Sequence, residues 1–178
     1  MPLYLILGPM KSGKSLALIN YFLELKKKGE AFHLYQPALN VRDQDINSRA
    51  GVSMKARKIS TTRSIPIDRE GVIGLDEIHM FGKEDATAIN QFLSRKFKII
   101  AAGLDKDYKG KMFPIIRDLL NLNPEKITYL TTKCEVCGKQ DATYSQIYKN
   151  GTPVLKGLPA VVPDDGTFTY KPVCEECF

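Results

Sequence analysis

The 178-residue sequence contains no tryptophan and two histidines, and no apolar run approaches the ~20 residues needed to cross a bilayer. No membrane-spanning helix is expected. With no basic segment leading into a short apolar core at the start, the chain is expected to be cytoplasmic. Histidine is too scarce for a histidine-based metal centre: His33 lies in a predicted strand with no second histidine or cysteine nearby, which leaves it a core or edge residue. Clustered basic charge is also scarce. The net charge is +6, yet Lys26-Lys27-Lys28 is the one lysine run. It stands just before Gly29, where cations oppose the negative end of a helix dipole and glycine supplies a left-handed cap. Tyr144, Tyr148 and Tyr170 are not interleaved with a dense basic stripe, so the pattern argues against a nucleic-acid partner and suits a small anionic ligand. At 43% hydrophobic residues the chain can build a real core, sized for one ordinary domain and a small appendage.

Residues 8–15 organise the rest. Gly8, Pro9, Met10, Lys11, Ser12, Gly13, Lys14 and Ser15 fit G-x-x-x-x-G-K-[ST], between the apolar run Leu3-Tyr4-Leu5-Ile6-Leu7 and the segment Leu16-Ala17-Leu18-Ile19. That is strand, loop and helix in the order a phosphate-binding loop requires. Loop N–H groups and the positive helix end surround a polyphosphate at little desolvation cost. In that scheme Lys14 reaches the β- and γ-phosphates and the Ser15 hydroxyl ligates Mg²⁺.

Apolar positions at Leu16, Ile19, Leu23 and Leu25, with Tyr21 and Phe22, predict a helix over 14–28, and residues 31–35 a strand that ends by Pro37. From Asn40 to about Ser53 the chain is polar and aperiodic, with Arg42 and Arg49, and is expected to be a mobile loop near the phosphates. Lys55 to Ile59 reads as an edge strand, and residues 64–68 lead into Gly71-Val72-Ile73-Gly74-Leu75, followed by Asp76-Glu77. Ligands of parallel sheets bind at the carboxyl ends of strands, which puts both carboxylates beside the phosphate loop. Period 2 then separates them: Asp76 is assigned to Mg²⁺ and Glu77 to the general base that takes a hydroxyl proton. A helix over 84–95, a strand over 97–102 and a helix carrying Ile115, Ile116, Leu119 and Leu120 complete a parallel α/β pattern. Tyr108, Met112 and Phe113 either cover the sheet edge or form a flat wall for a base.

From Ile127 the character changes. Cys134-x-x-Cys137 and Cys174-x-x-Cys177 supply all four cysteines, the set a closed tetrahedral zinc site needs. Such a site holds shape and performs no chemistry. Between the pairs, residues 142–147 begin a hairpin that turns at Asn150-Gly151, and the proline-rich stretch 159–166 reads as an extended loop. Pinned at both ends by zinc, this loop is a candidate lid. The expected architecture is a P-loop NTPase-like α/β domain over residues 1–126, with a parallel sheet flanked by helices, and a small zinc-ribbon or lasso domain over 127–178.

The loop G-P-M-x-S-G-K-S, a strand ending in Asp-Glu, a following Leu-Asp with an aromatic and then Phe, and two terminal C-x-x-C pairs together resemble the zinc-containing (type II) thymidine kinase family. The likeness covers nearly the whole chain. It implies transfer of the γ-phosphate of ATP to the 5′-hydroxyl of thymidine, with deoxyuridine a further acceptor, and with Mg²⁺ and structural zinc as cofactors. It also implies Glu77 as catalytic base, a nucleoside pocket of Met10, Leu104, Tyr108, Phe113, Val161 and Tyr170, and a homotetramer. The chain departs from the family at Asn40, where Asp is usual, at His79, where Gln is common, at Gln146-Ile147, and at Val162-Pro163-Asp164-Asp165 in the lid. Pro163 offers no N–H to a base. A kinase for another deoxynucleoside, a zinc-ribbon ATPase and a non-catalytic nucleotide-binding regulator stand as the alternatives.

Overall fold

Leu3, Leu5 and Leu7 point to one face of the first strand while Tyr4 and Ile6 point to the other, and both faces are covered. That two-sided apolar character is what a central parallel strand requires. The computed structural model describes residues 2–66, 71–162 and 166–178. Among them, the main domain runs β1 (Leu3–Leu7), α1 (Lys14–Lys27), β2 (Phe32–Pro37), a hairpin of β3 (Ile46–Asn47) and β4 (Ser53–Met54), and β5 (Arg57–Ile59). It continues with β6 (Val72–Leu75), α2 (Asp85–Ser94), β7 (Lys98–Gly103), α3 (Pro114–Leu120) and β8 (Lys126–Tyr129). Six of these strands form one parallel sheet in the order β5-β2-β6-β7-β1-β8. The α1 helix lays Leu18, Ile19, Phe22 and Leu25 on one face against Ile6, Leu34, Ile100 and Ala102. The other face packs Ile89, Phe92, Ile116 and Leu119 of α2 and α3 against Leu5, Ile73, Leu75 and Ile99.

Two stretches differ from their sequence reading. Residues 40–53 are not a plain loop: they contain β3 and the first residue of β4, and Ile46 is fully buried on the α1 face. A single apolar anchor in a polar stretch gives no period, so the hairpin left no signal of its own. The strand β8 has no counterpart in the sequence pattern, and it carries the main sheet past residue 127 by pairing Ile127 with Leu5. Four residues of mixed polarity at a sheet edge are hard to tell from a connection. The foreseen lead-in at Ile67-Asp68 lies outside the described residues.

The C-terminal part forms a second sheet in the order β10-β9-β11, from β9 (Tyr144–Lys149), β10 (Thr152–Pro153) and β11 (Thr169–Val173). Asn150 and Gly151 adopt φ of 50° and 79°, the left-handed pair that a type I′ hairpin turn needs. Ser145 in β9 accepts a hydrogen bond from the Met10 amide, and Lys11 pairs with Glu135. The small sheet is thereby bonded to the loop that follows β1.

Gly74 lies in β6 beneath α1. A Cβ built there would stand 2.3 Å from Leu34 Cδ2 and 2.5 Å from Phe22 Cε2. Gly74→Ala is expected to destabilise the protein by about 1–3 kcal/mol through overpacking, read as a lower denaturant midpoint at unchanged m-value.

Candidate active site

The site lies where β1, β6 and β7 end. Gly8 leaves β1 at φ 153°, and a Cβ there would meet the Leu130 carbonyl at 2.4 Å, so the segment after β8 can ride over the loop only because residue 8 is glycine. The loop then turns into α1, and Lys14, 8% exposed, donates to the Pro9 carbonyl at 2.6 Å. Burial holds the Lys14 ammonium below its usual pKa, against the opposing pull of Glu77, Asp76 and Asp105. A phosphate would satisfy such a cation better than one carbonyl does.

Asp76 ends β6 and is 4% exposed, and the Ser15 hydroxyl lies 3.2 Å and 3.3 Å from its two oxygens. Burial, then the charge of Glu77, pushes its carboxyl up to about 7. Hard oxygen donors from a hydroxyl and a carboxylate, set within hydrogen-bond reach of each other beside a phosphate loop, fit Mg²⁺. The separation of Asp76 from Glu77 has a different cause from strand alternation. Glu77 sits in left-handed backbone at φ 48° and ψ 42°, and this turn sends its side chain away from Ser15 toward Arg42 Nη2 at 3.9 Å and His79 Nδ1 at 3.5 Å. His79 Nδ1 accepts from the Leu104 amide at 3.2 Å, so the ring proton is on Nε2. Burial pushes His79 down to about 4, and its contact with Glu77 is therefore not an ion pair at neutral pH.

Two cavities meet at Glu77, and a third adjoins the second of them. The phosphate-side cavity, of about 200 Å³, is lined by Met10, Lys11, Gly13, Lys14, Ser15 and Leu16, and across from them by Arg42, Glu77 and residues 47–50. Gly8, Pro9 and Ser12 shape the loop without lining it. A second cavity shares Met10, Arg42 and Glu77 with the first, and adds Asn40, His79, Met80, Leu104, Val162 and Tyr170. A third shares His79, Leu104, Val162 and Tyr170 with the second and adds Tyr108, Phe113, Ser145 and Val161 among its walls. All six residues assigned to nucleoside binding, Met10, Leu104, Tyr108, Phe113, Val161 and Tyr170, line the second or third cavity. These two cavities hold about 30 Å³ each, room for a water or two, so an organic ligand there must displace part of the lining.

Several lining residues escaped the sequence reading. Ser145 carries no motif, His79 stands out only as a departure from the family pattern, and Arg49 and Asn47 show only as polarity in the stretch that reads as a loop. The lid departures at Pro163, Asp164 and Asp165 lie outside the described residues. The four thiols of Cys134, Cys137, Cys174 and Cys177 lie within 4.8 Å of one another, with Cys137 and Cys174 sulfurs 3.6 Å apart. Four sulfurs at these separations suit the edges of a tetrahedral thiolate site for zinc.

A raised carboxyl pKa means that the acid form is favoured in the folded state, so Asp76 adds stability at low pH that is lost as pH rises through about 7. Asp76→Asn should therefore melt a few degrees above the unsubstituted protein at pH 8 without nucleotide or Mg²⁺. The gap should close as pH falls and be gone below the ordinary value of 3.8.

The protein-family model for thymidine kinase matches residues 1–178. A protein named thymidine kinase from Thermococcus kodakarensis is 32% identical over 188 residues, covering 98% of this chain and 92% of that one. One of the same name from Chloroflexus aurantiacus is 29% identical over 180 residues, covering 97% and 92%.

Proposed function

The chain belongs to the thymidine kinase family, and from that premise we propose how its residues divide the work of moving the γ-phosphoryl group of ATP to the 5′-hydroxyl of thymidine. The observation that carries the reading is the place of Glu77. It is shared by the cavity of the phosphate loop and the cavity under Val162 and Tyr170, so a hydroxyl held in the one would meet a phosphate chain held in the other at this carboxylate. Lys14, Lys11 and the loop amides hold the phosphates. Ser15 and Asp76 would hold Mg²⁺, which when bound neutralises charge on the β- and γ-oxygens. Glu77 accepts the 5′-hydroxyl proton as that oxygen bonds to the γ-phosphorus; the bond from γ-phosphorus to the bridging oxygen breaks and ADP leaves. The nearby Arg42 guanidinium attracts the Glu77 carboxylate and helps fix where it lies.

On the other side, Met10, Leu104, Phe113, Tyr108, Val161 and Tyr170 wall an apolar slot for the base. The four cysteines would hold zinc and so the ends of the loop that closes this slot. Closure excludes water and favours transfer to the nucleoside over hydrolysis. Assembly as a homotetramer and a cytoplasmic location complete the proposal by family resemblance; the four-thiol cluster, which needs a reducing compartment, supports the location.

The zinc-loaded protein with Mg²⁺ and ATP should phosphorylate thymidine and deoxyuridine and leave deoxycytidine and the purine deoxynucleosides untouched, as followed by product formation. Product from another nucleoside alone would overturn thymidine as the substrate. Glu77→Gln should keep thymidine binding nearly intact and lower kcat by about 10²-fold or more. Unchanged turnover would remove Glu77 from the role of base.

A further inference from the structure

We propose that the Tyr108 hydroxyl is the fixed point from which the lid is positioned over the nucleoside slot, a role separate from the ring's place in the wall and resting on the function proposed above. The phenol oxygen donates to the Leu158 carbonyl at 2.9 Å and accepts from the Leu158 amide at 3.0 Å. Both main-chain groups of one residue are thus satisfied by one hydroxyl, as a neighbouring strand would satisfy them. Lys109 Nζ adds a 3.4 Å contact to the same carbonyl.

The main chain from Leu155 to Val162 has few other ties. Among the described residues, its hydrogen bonds are those to Leu158 and one from the Tyr170 hydroxyl to the Val162 carbonyl at 2.9 Å. The segment buries little of itself, with Leu155 70% exposed. Such a stretch has no cooperative ladder to hold it, so the part-buried two-way bond at Leu158 weighs heavily in where it rests. Tyr108 can serve because it is itself packed in place. It is 3% exposed, and the Asp107 side chain accepts from the Lys109 and Lys111 amides at 2.9 Å each, which folds the loop around it. That loop is fastened to the zinc module by Lys106, whose ammonium stands 4.3 Å from the Tyr144 ring centroid, while the Tyr144 ring stacks on Phe178.

The partner residue lies outside the slot. Leu158 lines none of the three cavities, whereas Val161 and Val162, a few residues on, line the slot. The latch can therefore stay made while the residues beyond it shift to admit a nucleoside. Phenylalanine would fill the wall as well as tyrosine does and would lack the latch.

Tyr108→Phe tests this, because it removes one oxygen and leaves the ring. The expected result is loss of hydrogen-exchange protection at the Leu158 amide, at least about tenfold, with a rise in KM for thymidine of at least about fivefold. Neither KM for ATP nor the melting temperature should move comparably, and kcat should change less than KM for thymidine. A Leu158 amide as protected in the variant as before would overturn the latch. Lost protection with an unchanged KM for thymidine would overturn its part in nucleoside binding. If the unsubstituted protein does not phosphorylate thymidine, the function proposed above fails together with the binding half of this inference, while the exchange measurement still decides the latch.

Discussion

A carboxylate is held at the end of β6 in a place where water barely reaches it, between the Ser15 hydroxyl and the charge of its own neighbour Glu77. Much of the architecture exists to make that placement possible. The parallel sheet brings β6 and the loop after β1 to the same edge, with β7 between them. Apolar layers on both faces make the edge dry enough for charge to matter. Lys14, also buried, supplies part of the compensation and is held below its usual pKa by the same dryness. Two buried groups of opposite sign, each short of ideal partners, form a site whose electrostatics favour the arrival of phosphate and a divalent cation together.

Much of this was legible in the sequence, for a physical reason. The phosphate loop and the strand ending in Asp76-Glu77 each combine a regular hydrophobic period with residues whose chemistry is rare outside a site. The paired C-x-x-C spacing is as specific, and the structure gathers the four thiols. The turn at Asn150-Gly151 was legible because positive φ selects those residue types. What was not legible depended on contacts between distant segments. Ile46 is one buried residue in a polar stretch, and nothing local says that it packs on α1. The β8 strand exists because β1 offers it a free edge. The divergence of Asp76 and Glu77 came from left-handed backbone at a glutamate, a conformation that no sequence rule expects there.

His79 shows how a departure from the family pattern can be absorbed. An imidazole held neutral by burial, with Nδ1 taken by the Leu104 amide, offers only the Nε2 hydrogen as a donor. It packs at 5.0 Å between centroids against Phe113, so it also serves as part of the apolar wall. The residue thus joins the floor of the slot to the carboxylate turn without bringing a charge into either.

The phosphate loop and the strand end before it are bonded to residues far along the chain: the Met10 amide to Ser145, Lys11 to Glu135, and the Leu7 carbonyl to the Leu130 amide. During synthesis the loop emerges well before these partners. Until residues 130–145 are available, the loop has its local turn and its helix but not the contacts that fix its shape. Contacts of such long sequence separation form late, because the intervening chain must be ordered to make them. The loop at residues 8–15, legible early in the sequence, is therefore completed only after much of the later chain has folded.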